Sequence, residues 1–138
     1  MDMTLIDKIK ETYSFLLEEG YKIEECNNES IVYKRQDPSR VILNFIVDRD
    51  KLSLAVSTED MLDNKEYDKY EKYFDSFYIV KMLEPEISFE NIYPGMYSSC
   101  LKNNLIEIEK LFSVEHEERT INHLRKIIRR YNKERWKR

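Results

Sequence analysis

Two histidines, two cysteines, a Ser-Ser-Cys triplet and several pairs of carboxylates are the side chains through which this sequence could do covalent or metal chemistry. His116 and His123 are seven residues apart, which on one helix is a rise of about 10 Å and leaves them unable to share a metal ion. Ser98-Ser99-Cys100 brings two hydroxyls and a thiol together, but no spacing fixes a base beside them, so the triplet reads as a small-residue packing patch. Asp60 with Asp63 lacks the rest of a calcium loop. Cys26 and Cys100 have no C-x-x-C spacing and read as buried free thiols. Gly20 and Gly95 are the only glycines, which excludes a glycine-rich phosphate loop, a dinucleotide fingerprint and a G-x-S-x-G elbow. No catalytic residue, metal site or cofactor is expected, and the balance leans away from an enzyme.

Charge is distributed less evenly. From His116 to Arg138 the chain carries nine Lys or Arg against three acidic residues, while the preceding residues carry fourteen against twenty-four. At 100° per residue, Ile121, Leu124, Ile127, Ile128 and Tyr131 share one arc of a terminal helix, and Arg119, Lys126, Arg130, Lys133 and Lys137 share the opposite one. The cations therefore form a face. Arg125 with Arg129, Lys126 with Arg130, Arg129 with Lys133 and Lys133 with Lys137 are like-charged i,i+4 pairs, each opposing the helix by a few tenths of a kcal/mol. Either carboxylates on the body balance this face, or it awaits an anionic partner such as nucleic acid; Lys126, Arg130, Lys133 and Lys137 are the candidate contacts.

Between Glu59 and Glu90, acidic residues alternate with tyrosines and phenylalanines. Tyr67, Tyr70, Phe74 and Phe77 fall at i, i+3, i+7 and i+10, which predicts a helix with a buried aromatic stripe. Asp68, Glu71, Tyr73, Asp75 and Tyr78 are left as the candidate partner-binding surface, with Tyr73 and Tyr78 the exposed rings.

These groups must be positioned by a soluble domain spanning residues 1–138, long enough to bury one core. Leu5, Ile6, Ile9, Tyr13, Leu16 and Leu17 recur at helical spacing, Thr4 and Asp7 stand at capping-box spacing, and Gly20 suits the C-terminal cap. Strands are predicted at residues 21–25, 31–35, 41–48 and 52–57, with turns at Asn27-Asn28-Glu29-Ser30, Gln36-Asp37-Pro38-Ser39 and Asp48-Arg49-Asp50-Lys51. Tyr97, Leu101, Leu105, Ile108 and Phe112 mark a further helix before the turn at Ser113. The expected fold is α+β: an N-terminal helix, a four-stranded antiparallel meander, then C-terminal helices packed on one sheet face.

No apolar run is long enough to span a membrane and no signal sequence opens the chain, so a cytoplasmic location is expected. In size and acidity the chain resembles bacterial immunity or antagonist proteins, a resemblance of architecture without a diagnostic motif. It implies a non-enzymatic interaction protein whose partner is a basic effector; exposed aromatic residues offer a second copy of the chain as the other partner. The alternative is a nucleic-acid-binding protein using the basic terminal helix.

Overall fold

The computed structural model describes residues 4–35 and 40–136, with Tyr70 described through its backbone alone. The predicted turn at residues 36–39 and Lys137 lie outside the described residues. Helix α1 (Leu5–Thr12) opens on the expected capping box: Asp7 N–H donates to Thr4 Oγ1 at 3.1 Å, and Thr4 N–H to the Asp7 carboxylate at 3.4 Å. The single helix predicted to run on toward Gly20 is instead broken, and a short α2 (Phe15–Glu18) follows. Thr12, Tyr13, Ser14 and Phe15 form a run of weak helix formers, and the break turns Tyr13 into the core, where its ring meets Phe45 edge-on at 4.5 Å. One consequence is that Leu17, expected on the apolar face, is exposed. Gly20 does close the segment, at φ +95°: its N–H reaches Leu17 O and the Tyr21 N–H reaches Leu16 O, the paired bonds of a left-handed C-cap.

Strands β1 (Lys22–Cys26), β2 (Ser30–Lys34), β3 (Val41–Asp48) and β4 (Lys51–Thr58) form the expected antiparallel meander, in spatial order β1-β2-β3-β4. Asn27 Oδ1 accepts from the Glu29 and Ser30 N–H groups at 2.7 and 2.9 Å and so shapes the first turn. In the turn between β3 and β4, Arg49 and Asp50 both take positive φ, 52° and 64°, as a two-residue hairpin of the primed kind requires. The register aligns Tyr33, Leu43 and Val56 in one row and Ile31, Phe45 and Leu54 in the next, all buried.

The segment after β4 departs from the predicted aromatic helix. Helix α3 (Glu59–Asp63) is one turn long, a 3₁₀ turn covers Lys69–Glu71, and Phe74–Asp75 form a fifth strand, β5, on the β4 edge. Tertiary contacts override the local period. The Lys72 ammonium donates to Leu62 O and Asn64 O, at 2.7 and 3.1 Å, and the buried Ser57 hydroxyl donates to Lys72 O. Phe74 thereby joins the row of Tyr33, Leu43 and Val56 as a strand residue.

Helices α4 (Ser76–Leu83), α5 (Tyr97–Leu111) and α6 (Glu117–Trp136) complete the fold. Ile79, Val80, Leu101, Leu105, Ile108, Ile121, Leu124 and Ile127 join the sheet residues in one contiguous apolar core. Helix α5 is kinked at Asn104 (φ −124°, ψ 17°), whose side-chain amide donates to Cys100 O at 2.9 Å. Neither cysteine is fully buried, contrary to expectation: Cys26 lies exposed on edge strand β1 and Cys100 is half-buried on α5. Among the described residues no helix is long and apolar enough to cross a membrane.

Candidate functional site

The apolar arc read from the sequence is the one that seats α6: Ile121, Leu124 and Ile127 are buried, while Ile128 and Tyr131 pack at the margin of the core. That anchoring turns Arg119, Lys126, Arg129, Arg130 and Lys133 outward, all exposed. Carboxylates of the body balance only part of the helix's charge. Arg125, on the flank, forms an ion pair with Glu71, and Arg129 adds a weaker attraction to the same carboxylate. The Arg125 hydrogen bond holds the Glu71 carboxyl below its ordinary value, against the opposing effect of burial, with the Asp68 N–H assisting. Among the described residues Arg130 has only an intrahelical ion-pair partner, Glu134, at 3.6 Å. Among the described residues no ion pair engages Arg119, Lys126, Arg129 or Lys133.

The cations that fasten the fold lie elsewhere and were not legible as such in the sequence. Arg40 bridges three elements: it meets Asp60 of α3 at 2.6 Å, Glu117 of α6 at 2.6 Å and the Thr58 hydroxyl of β4 at 3.3 Å. Arg35 and the Tyr21 hydroxyl converge on Glu109 of α5, at 3.2 and 2.6 Å. Lys81, only 5 % exposed, donates to Pro85 O and Ile87 O at 2.8 and 2.5 Å, with its ammonium 4.8 Å from the Phe89 ring centre.

The acidic and aromatic set is divided by the fold. Asp68 is exposed. Glu71 is engaged by Arg125, and Asp75 caps α4 by accepting from the Phe77 N–H at 2.8 Å, with the Tyr97 hydroxyl at 3.5 Å. Tyr73 and Tyr78, expected to be exposed, are both half-buried. Burial pushes both phenols up, with Glu25 adding to the effect at Tyr73, and Tyr131 and Asp75 at Tyr78. Tyr78 meets Phe77 and Tyr131 edge-on at 5.2 and 5.9 Å. Beside this cluster, Phe77, Phe89, Ile92 and Tyr131 line a hollow of about 270 Å³. Two of its rings already carry cations of the chain, Lys81 at Phe89 and Arg135 at Tyr131.

Neither Cys100 nor Ser113 is activated as a nucleophile. Burial pushes the Cys100 thiol up to about 11, which keeps it protonated at neutral pH. Ser113 Oγ lies 3.0 Å from His116 Nδ1 and also 2.7 Å from Lys110 O. A carbonyl can only accept, so satisfying both contacts sends the hydroxyl proton to Lys110 O and makes Nδ1–H the donor to Ser113, the reverse of a base abstracting a proton.

Comparison of the chain with protein families, with curated proteins and with solved structures returns no match. The functional reading therefore rests on the geometry of α6 and of the segment that precedes α4.

Proposed function

We propose that this is an interaction protein that works without catalysis and that the outer face of α6 is its contact surface for an anionic partner. The observation that carries this reading is the contrast among cations. Arg35, Arg40 and Arg125 are each placed against a carboxylate of another element, whereas Arg119, Lys126, Arg129 and Lys133 are exposed with no ion-pair partner among the described residues. Clustered cations on one helix face repel one another, and an external polyanion relieves that repulsion while releasing its own counterions. Titration with a heparin fragment at low salt tests the reading. Binding is expected, and Lys126→Glu, Arg130→Glu and Lys133→Glu combined should abolish it; binding that survives this triple reversal would overturn the assignment. All three positions are exposed, so the fold should tolerate the change.

A second reading keeps the acidic surface as the contact for a basic effector, in the manner of an antagonist protein. It is favoured by the exposed carboxylates Asp63, Glu66 and Asp68, which flank the half-buried Tyr67. Under this reading an arginine-rich peptide binds, and reversal of those three charges to Lys removes the binding.

A further inference from the structure

Resting on the reading of α6 as an anion-binding face, we infer that its partner is a single-stranded nucleic acid, with phosphates along Lys126, Arg130 and Lys133 and a base stacked on Trp136. Trp136 is 81 % exposed at the end of α6, an unusual position for the largest apolar side chain. On the helical projection it falls about 20° from Arg129 and about 60° from Lys133, so the indole borders the cationic arc. Successive cations along that arc are separated by about 4.5–6 Å of rise, close to one turn. An aromatic platform beside a basic track is the combination that holds single strands: the track follows the backbone, and the ring offers its face to any unpaired base.

Two features separate this partner from a duplex and from an acidic protein. At the N-terminal half of the face, Glu115 and Glu118 lie with Arg119, Asn122, His123 and Lys126 around one shallow hollow, so carboxylates interrupt the positive potential there. Residues 126–133 carry no carboxylate of their own; Glu134, paired with Arg130 at 3.6 Å, lies at the margin of this stretch, and Trp136 follows it. That stretch is narrow, and the rest of the chain is acidic enough to bring the whole to −4, which repels a wide polyanion more than a thin one. Stacking, moreover, requires an exposed base face. Paired bases hide theirs in the stack, and an acidic protein has none.

Trp136 is the only tryptophan, so its fluorescence reports on this site alone. The experiment titrates the protein with an oligothymidylate of about 12 nucleotides, a duplex of the same length and a heparin fragment of matched charge. The single strand should bind tightest and quench the emission. Trp136→Phe should retain part of that affinity, and Trp136→Ala should weaken it about 5- to 100-fold while leaving heparin binding unchanged. Equal affinity for single strand and duplex, or no loss of single-strand affinity on Trp136→Ala, would overturn the inference. Heparin binding that depends on Lys126, Arg130 and Lys133 would in that case leave the anion-binding reading standing. Absence of binding to all three probes would remove both.

Discussion

Arg125 and Arg130 sit less than two turns apart on α6, yet one belongs to the fold and the other to the surface. The difference is Glu71, which the segment between α3 and β5 delivers to the flank of α6, next to Arg125. The pair is partly shielded, with the carboxylate side chain 17 % exposed, so its worth lies near the upper end of the range for accessible ion pairs, about 1 kcal/mol. Its pH dependence has a definite sign. The folded-state value of Glu71 lies below the ordinary 4.5, so its contribution is complete above that value and is lost as pH falls through the depressed folded value. Glu71→Gln should therefore lower stability by about 1 kcal/mol at neutral pH and progressively less in acid, with the two denaturation curves converging once the pH has fallen through the depressed folded-state value. A constant difference across that range would show that packing, not the charge, is what Glu71 supplies. The candidate cations Lys126, Arg130 and Lys133 could be placed on the outer face from the helical period alone. Glu71 could not be separated from Asp68 in that way, because the arginine that claims it lies 54 residues further along the chain.

At the scale of elements, the features encoded locally are the ones readable in the sequence. The Thr4 capping box, the Gly20 cap and the alternation of Val41, Leu43 and Phe45 each depend on neighbours within a few positions. The stretch from Asn64 to Asp75 does not. Its aromatic spacing imitates a helix, but the Lys72 ammonium and the Ser57 hydroxyl hold its backbone in turns through bonds to carbonyl groups, contacts that no local pattern announces. The hairpin between β3 and β4 lies between these cases: its turn is legible, but its two central residues are poor choices for it. Arg49 and Asp50 occupy left-handed backbone that Asn and Gly adopt with less strain. Replacing them with Asn-Gly should raise stability by about 1 kcal/mol, measured as a shift in denaturation midpoint at unchanged slope. A loss of stability would mean that the Arg49 or Asp50 side chain contributes more than the backbone conformation costs.

For the whole molecule, the two populations of charge predict opposite responses to salt. Pairs such as Arg40 with Glu117, whose carboxylate side chain is 13 % exposed, are shielded from solvent ions and lose little attraction as ionic strength rises. The exposed cations of α6 face one another across water, and their repulsion is screened efficiently: Lys126 with Arg130 and Arg129 with Lys133 are each one turn apart. Raising salt from about 50 to 200 mM should thus increase folding stability slightly, by about 0.5 kcal/mol for the two pairs together. The same change should weaken binding of a single strand about 20- to 50-fold if three or four phosphates are neutralised. Measuring both responses on one preparation distinguishes a face retained for a partner from one balanced internally. A face compensated by the body would lose stability as its ion pairs were screened and would bind polyanions weakly at every salt concentration. A face held in reserve gains stability in salt and loses its ligand, and a saturating ligand at low salt should raise the unfolding temperature by relieving the same repulsion.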